Sequence, residues 1–340
     1  MTAEANAKLH LREIDILYAL GALLAILGHS HPNDWSLFPG KWIEFIYCFH
    51  MPLFFLIAGY LLAYTGGIKR LGYPKWLGQK ALRLLTPYVV LTLAAFVPKY
   101  ALENGGLGGI SASALLTSFI KPRDGVWGHF WFLAVLFALY AIFGLLRVFD
   151  DWYGRSFKTV SAVLVLTAAL HFLKIPSDIL CIKDVCEFAV YFAVGYYLSQ
   201  YLSEKDFKIP NFARLIAVIL LTAAGIVCFI LTSGKPYSHY DLLVTVLMLA
   251  ACWELGQLLK YATVPFADFI AHNVFTYYIY SWPAQAVVEK LCSRFAAPWY
   301  ATMPAMFAVG VLCPTVIIFI YRKCAFLHRR PIELILGIRE

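Results

Sequence analysis

The sequence predicts an all-α, polytopic integral membrane protein, a bundle of about ten transmembrane helices. Of its 340 residues, 61% are hydrophobic and only 14% are charged, and the mean hydropathy is +0.71. Ordinary soluble domains of this size do not have such a composition. Apolar runs long enough to cross a membrane recur along the chain, and the basic residues between them are distributed unevenly.

A helix needs about 20 apolar residues to cross roughly 30 Å of hydrocarbon. Ten windows meet this requirement: 14–31, 42–64, 82–102, 128–149, 157–173, 184–202, 212–232, 240–261, 268–290 and 299–321. An even number of spans places both termini on the same side. We find no repeat, low-complexity segment or soluble domain, and therefore treat residues 1–340 as a single integral membrane domain.

The basic residues predict the orientation of these spans. With the N-terminus inside, the inner segments contain 19 of the 28 Lys and Arg residues. Because such an excess marks the cytoplasmic side, we expect both termini in the cytoplasm. We expect the protein to reside in the inner or plasma membrane of the cell. The net charge of +8 is thus explained by orientation, and no nucleic-acid partner is expected. The longest outer loop, 103–127, is expected to hold a short interfacial helix.

The first window has a polar stripe on one face. At about 100° per residue, one side of the helix carries Asp15, Tyr18, Ala22, Ala25 and His29. Polar groups are costly in lipid, so this stripe should face other helices, a water-filled cavity or both. The window ends without a small-residue cleavage pattern, which indicates a retained span rather than a signal peptide.

The second window contains Pro52 two residues after His50. Proline cannot donate a backbone hydrogen bond, so the carbonyl of Cys48 is left free and the helix should kink near His50. Irregular backbone at membrane depth is tolerated where it faces protein or a cavity. Gly59 should allow a neighbouring helix to approach closely.

Ionisable residues in the predicted spans cluster toward the outer leaflet, whereas Lys80 and Arg83 continue a cationic inner mouth. The outer group comprises His29, His50, His129, Glu187, His239, Asp241 and Glu289. Glu187 and the deeper Glu254 fit either acidic partners or structural acceptors. This distribution of charges suits an anionic reagent on the cytoplasmic side and a hydroxyl-bearing reagent on the outer side.

The eight cysteines show no paired metal-ligand spacing, so no metal site is expected. Cys181 and Cys186 are close enough in sequence to form a disulfide. The favoured interpretation is that the cysteines are small buried side chains.

Six short motifs follow one another along nearly the whole chain: Ile14-Asp15 with Leu27-Gly28-His29; Phe49-His50-Met51-Pro52-Leu53-Phe54-Phe55 with Gly59-Tyr60; Arg83-Leu-Leu-Thr-Pro87-Tyr88; His129-Phe-Trp131-Phe132-Leu133; Phe192-Ala-Val-Gly195-Tyr196; and Tyr278-Ile-Tyr280-Ser281-Trp282-Pro283. Each motif alone is weak, but the ordered set is fairly specific. In this set the chain resembles membrane-bound acyltransferase family 3, especially its smaller sugar O-acetyltransferase branch.

The resemblance implies an enzyme that takes an acyl group, commonly acetyl, from acyl-CoA on the cytoplasmic side and delivers it to a sugar hydroxyl at or beyond the outer face. His29 matches the family's catalytic histidine. The chemistry agrees, because attack of a hydroxyl on a thioester needs a base that is neutral near pH 7. His50 is a candidate second base, proton relay or hydrogen-bond donor to substrate.

Further candidates follow from the same comparison. Lys80 and Arg83 are suited to the phosphates of CoA, as a guanidinium fork matches phosphate oxygens, although positive-inside charge explains them equally well. Tyr18 joins them as a donor-binding candidate. The candidates for binding the acceptor substrate are Asp15, His129, Trp131, Glu187, Ser281 and Trp282. The alternative for these His and Trp residues is a side chain at the membrane interface.

Two positions depart from the family pattern. Tyr18 stands where the family usually has Arg or Lys, about 16 Å along the helix from His29, and Arg12 lies too far toward the cytoplasm to replace it. Ser281 stands where a histidine is frequent. These changes leave His29 in place and put the donor contacts in question.

The leading hypothesis is a membrane O-acyltransferase, with acetyl the expected group, that modifies a surface polysaccharide or its lipid-linked sugar precursor. The expected partners are acyl-CoA, the carbohydrate and membrane lipid. Transfer is either direct or through an acyl-enzyme on Ser281, Ser30 or a histidine. The alternatives are a transporter or flippase of a polar or lipid-linked sugar, and a catalytically impaired regulator that binds acyl-CoA.

Overall fold

The computed structural model describes residues 11–31, 38–103, 106, 108, 110–154, 156–173, 175–203, 209–232 and 241–338. Their regular structure is helical, with no strand among the residues so described. Fifteen α-helices follow in order: α1 Arg12–Gly28, α2 Phe38–Tyr47, α3 His50–Tyr64, α4 Gly67–Leu71, α5 Tyr73–Glu103, α6 Ala112–Ile120, α7 Trp131–Tyr153, α8 Phe157–Phe172, α9 Ile182–Ser203, α10 Asn211–Leu231, α11 Asp241–Leu259, α12 Pro265–His272, α13 Val274–Arg294, α14 Trp299–Lys323 and α15 Arg330–Leu336.

Six helical segments of the described chain are long and apolar enough to cross a membrane: Gly40–Tyr64, Tyr73–Ala101, Gly128–Tyr153, Asn211–Leu231, Asp241–Leu259 and Trp299–Lys323. The described part of the chain is thus all-helical, with helices typical of a membrane protein. The other four predicted windows are also helical. Helices α1 and α8 have only 17 and 16 residues, and α9 and α13 are long enough but more polar, which suits helices that pack inside a bundle.

Helix α3 lies at the centre of the bundle, and all but two of its residues are buried. Its closest neighbour is α9. A Cβ atom added to Gly59 would lie 2.0 Å from the carbonyl oxygen of Phe192, and one added to Gly195 would lie 2.0 Å from that of Leu56. The backbones of α3 and α9 therefore touch, as the glycine in the second window predicts.

The second window breaks where Pro52 predicts. Helix α2 ends at Tyr47 and α3 begins at His50. The carbonyl of Cys48 accepts a 2.6 Å hydrogen bond from the hydroxyl of Thr245 on α11. A neighbouring helix thus satisfies the acceptor that proline leaves free.

The ninth window, by contrast, is not one helix. It is divided between α12 and α13 at Asn273, whose backbone leaves the helical region. The Asn273 side-chain amide donates to the carbonyl of Phe269 at 2.7 Å. This local side-chain bond competes with the helical one, and hydropathy alone does not reveal it. The prediction of a continuous span over 268–290 is therefore wrong.

The long loop contains a short helix, as expected. Helix α6 is capped by Ser111, whose Oγ accepts from the Ala114 N–H at 3.1 Å. It is tied to α5 because the Tyr88 hydroxyl donates to the Ser118 carbonyl at 3.1 Å.

Several side chains singled out in the sequence have structural partners. Glu254 accepts a 2.6 Å bond from Arg214, so it is an ion-pair partner between α10 and α11. All eight cysteines are free thiols. Burial raises the pKa of the Cys181 thiol to about 12, as fits a small buried side chain. His239 lies outside the described residues.

Candidate active site

Three histidines meet in a cavity of about 370 Å³ beside the C-terminal end of α1. His29 follows α1, His50 begins α3, and His129 lies in the short 3₁₀ turn before α7. We call this cavity the histidine chamber. Its other polar and aromatic lining residues are Tyr47, Phe54, Arg123, Trp131, Tyr277, Tyr278, Ser281 and Trp282. Of the sequence-predicted candidates, the chamber brings together His29, His50, His129, Trp131, Ser281 and Trp282.

Aromatic rings connect the three imidazoles. The ring of Tyr47 lies 5.1 Å from that of His50 and 6.4 Å from that of His29, measured between centroids. Trp282 lies 6.5 Å from His29 and 4.9 Å from His129. The chamber thus presents polar imidazoles among apolar faces, a combination that can hold a sugar ring while hydrogen-bonding its hydroxyls.

The hydrogen bonding of His50 assigns its tautomer. Its Nδ1 lies 3.0 Å from the carbonyl oxygen of Ile46. A carbonyl only accepts, so Nδ1 carries the proton and Nε2 keeps a lone pair. His50 can therefore accept a proton or a hydrogen bond at Nε2.

A buried amide holds the end of α1 next to His29. The Nε2 of Gln285 on α13 donates to the Ile26 carbonyl at 2.8 Å and to the Ser30 hydroxyl at 2.9 Å. The Ser30 hydroxyl itself donates to Ile26 at 2.9 Å. These bonds satisfy a carbonyl in the last turn of the helix. They also engage the Ser30 hydroxyl, which is fully buried and does not line the chamber.

The same helix end is held from a second side. The Tyr47 hydroxyl donates to the Gly28 carbonyl at 2.9 Å, and a Cβ atom at Gly28 would lie 2.8 Å from the Tyr47 ring. Residues on both sides of His29 are thus fixed by other helices, while His29 itself is only half-buried. The backbone is held and the imidazole is open to the chamber.

A second, smaller cavity of about 90 Å³ adjoins the first. Tyr18, Lys80 and Arg83 line it, and we call it the basic chamber. Its wall shares Phe54, Val274 and Tyr278 with the histidine chamber. The three donor-binding candidates are therefore close together, and the two chambers follow one face of α1 from Tyr18 to His29.

Aromatic rings support the two cations of the basic chamber. The Lys80 ammonium lies 4.3 Å from the centroid of the Tyr140 ring, and the Arg83 guanidinium lies 5.4 Å from that of Phe275. Such cation–π contacts stabilise a charge in a poorly hydrated site.

Sequence reasoning did not single out several lining residues, among them Arg123 and Tyr278. The Arg123 guanidinium lies 3.9 Å from the centroid of the Trp131 ring and donates to Asp184 through Nε at 3.0 Å. Its signal is a cation in a predicted outer loop, where few are expected. Tyr278 donates its hydroxyl to the His129 carbonyl, and its signal was its place at the head of the ninth-window motif.

Two candidates do not reach either chamber. Asp15 lies one turn before Tyr18 and is absent from both linings. Glu187 lies near His171, whose Nδ1 is 2.8 Å from the Glu187 backbone carbonyl. Arg12 pairs with Asp268, so it does not replace the cation missing at Tyr18.

No group of three or more His, Cys, Asp or Glu side chains in the described part of the chain is arranged to hold a metal ion.

The chain is similar to two nodulation proteins named NolL. The NolL of Mesorhizobium japonicum is 24% identical over 241 residues, which cover 68% of this chain and 60% of that protein. The NolL of Sinorhizobium fredii is 26% identical over 230 residues, which cover 67% and 57%. The chain thus spans about three fifths of the length of these relatives. No solved structure is significantly similar to it.

The sequence model of acyltransferase family 3, described as an acyltransferase domain, matches residues 11–322. This range includes both chambers and every helix that lines them. The chain belongs to acyltransferase family 3.

Proposed function

We propose that this protein is an integral membrane O-acetyltransferase. It takes an acetyl group from acetyl-CoA on the cytoplasmic side and delivers it to a hydroxyl of a surface polysaccharide or its lipid-linked precursor on the outer side. The observation that carries the proposal is the common wall of the two chambers. The two chambers follow one continuous face of α1. One chamber contains cations suited to the phosphates of the donor, and the other contains imidazoles suited to acetyl transfer.

The narrow pantetheine arm of the donor passes through the basic chamber. Lys80 and Arg83 bind the nearest of its phosphates, for which a guanidinium is especially well shaped. The narrow arm of the donor passes Phe54 and Tyr278 and brings the thioester toward His29. Tyr18 lines this path with a ring and a hydroxyl where the family resemblance implies a cation, so binding of the phosphates falls to Lys80 and Arg83.

The acceptor occupies the histidine chamber. His29 removes the proton from its hydroxyl, and the oxygen forms a bond to the thioester carbon. The tetrahedral intermediate collapses by breaking the carbon–sulfur bond, and the proton on His29 passes to the departing CoA thiolate. Cavity-lining donors, the Trp282 indole and the Ser281 hydroxyl, are assigned to stabilise the oxyanion. His50, with its free Nε2, is assigned to orient the acceptor hydroxyl.

We also propose a topology of about ten spans with both termini in the cytoplasm. In that topology the basic chamber faces the inner side of the membrane and the histidine chamber faces the outer side, as the reaction requires. The name NolL specifies neither a reaction nor an acceptor, so the sugar acceptor is inferred from the polar and aromatic groups that line the histidine chamber.

The test is transfer of label from radiolabelled acetyl-CoA by the purified protein in the presence of candidate glycans. We expect His29→Ala to lower thioester turnover by roughly 10²-fold or more, because it removes the general base. Size-exclusion and tryptophan fluorescence profiles should match the unmodified protein. Near-normal turnover in His29→Ala would contradict the assignment. Acetyl-CoA binding without turnover would instead indicate a regulator, and proton-coupled sugar uptake without thioester cleavage a transporter.

A further inference from the structure

A third cavity continues the basic chamber away from His29. It has a volume of about 420 Å³ and shares Arg83 and Phe275 with the basic chamber. It is also lined by Gln79 on α5 and by Arg330, Glu333 and Gly337 at helix α15. We call it the mouth cavity.

Helix α15 is fixed over this cavity by three contacts. The Tyr280 hydroxyl of α13 donates to the Ile335 carbonyl at 3.0 Å, and the Tyr321 hydroxyl of α14 donates to the Glu333 carboxylate at 3.0 Å. Gly337 ends the helix with a φ of +74°, and a Cβ atom there would lie 3.0 Å from the Phe275 ring. The helix is therefore seated closely against α13, and Arg330 at its first position is held at the rim.

The charges around the mouth cavity favour an anion. Two guanidinium groups, those of Arg83 and Arg330, line it together with the amide of Gln79. Glu333, the single carboxylate among the described lining residues, accepts the Tyr321 hydroxyl. Two guanidinium forks at the edge of one cavity are suited to phosphate oxygens.

We propose that the mouth cavity binds the phosphorylated nucleotide end of the acyl-CoA donor, and that Arg330 contacts its phosphates. The proposal rests on the proposed function. With the thioester at His29, the phosphates of the donor extend past Lys80 and Arg83 into the mouth cavity, whose lining shares Arg83 with the basic chamber. Helix α15 follows the last residue of the family match, so this contact belongs to the C-terminal segment of this chain. Anionic lipid headgroups also carry phosphate, and the experiment below distinguishes lipid binding from binding of the donor.

The experiment compares two donors in the full-length purified protein: acetyl-CoA and S-acetylpantetheine, which has the same thioester but no phosphate. We expect Arg330→Ala to raise the KM for acetyl-CoA by about tenfold, the loss of one charge-assisted contact, and to leave the KM for S-acetylpantetheine unchanged. Gln79→Ala should act in the same direction, and Arg330→Lys should restore part of the affinity. Arg329→Ala is the matched control, because Arg329 is exposed and does not line the cavity.

The outcomes separate the alternatives. An unchanged KM for acetyl-CoA in both Arg330→Ala and Gln79→Ala, with normal turnover by the unmodified protein, would overturn this inference and leave the proposed function standing. Equal losses with both donors would overturn it as well, since the effect would not depend on phosphate. An Arg330 effect that depends on phosphatidylglycerol in phosphatidylcholine vesicles, at constant KM, would assign the site to lipid. Failure of the unmodified protein to bind or cleave acetyl-CoA would overturn the proposed function, and this inference with it.

Discussion

Replacing Gln285 with leucine tests whether the end of α1 must be held for His29 to work. The change removes two buried hydrogen bonds, to Ile26 and to Ser30, worth about 1 kcal/mol each. Two features reduce the net cost in stability. The Ile26 carbonyl keeps its bond from Ser30, and the Oε1 of Gln285, a buried acceptor without a hydrogen-bond partner among the described residues, is removed as well. The net loss of stability is therefore about 1 kcal/mol.

The expected effect on the reaction is larger. A displacement of about 1 Å in a reacting group can lower the rate by as much as 10²-fold, so we expect kcat to fall by roughly 10- to 100-fold. The KM for acetyl-CoA should stay within about twofold, because Lys80 and Arg83, which are assigned to the donor, line the basic chamber, and neither Gln285 nor the end of α1 lines that chamber. Steady-state acetyl transfer and thermal unfolding in detergent measure the two effects separately.

Gln200→Leu is the matched control, since Gln200 is a buried glutamine on α9 that lines neither the histidine chamber nor the basic chamber. It should leave kcat within about twofold. The reasoning is refuted if Gln285→Leu retains normal kcat, or if Gln200→Leu lowers kcat equally at a similar loss of stability, because the effect would then be general.

Two further changes test the packing and the donor path. Gly195→Ala places a methyl group 2.0 Å from the Leu56 carbonyl, so we expect about 3 kcal/mol or more of destabilisation, measured as a lower unfolding temperature in detergent. The control is Gly78→Ala, whose added methyl group meets no atom within 4 Å and should not destabilise the protein. Equal unfolding temperatures of the two variants would contradict the contact between α3 and α9. Tyr18→Arg adds a third cation to the basic chamber, so we expect the KM for acetyl-CoA to fall about threefold or more while the KM for S-acetylpantetheine is unchanged. A higher KM for acetyl-CoA would contradict this prediction and show that the phenol of Tyr18 is itself required.

Much of the site follows from local patterns. Helical periodicity correctly predicts that Tyr18, Ala22, Ala25 and His29 share a face, and all four line the two chambers. Pro52 predicts the break before His50 because its effect on the backbone is local.

Other features depend on distant partners, which periodicity does not identify. Gln285 lies 259 residues from the Ile26 carbonyl that it binds, and the pairing of α3 with α9 brings Leu56 against Gly195. The sequence predicts Glu187 as a residue of the active site because a carboxylate is costly in lipid. The cost of a charge in lipid predicts that Glu187 faces the inside of the bundle, but it does not predict which polar site it joins. Glu187 lies near His171.

The narrow basic chamber has a consequence for the membrane itself. If the three cavities run from one face of the bilayer to the other, as proposed, the path crosses the barrier that maintains the proton gradient. At about 90 Å³, the basic chamber has room for only a few water molecules, and Phe54 and Tyr278 form part of the wall that it shares with the histidine chamber. A constriction of this size limits the water that could connect the two sides of the membrane when no donor is bound, and a bound donor would fill it.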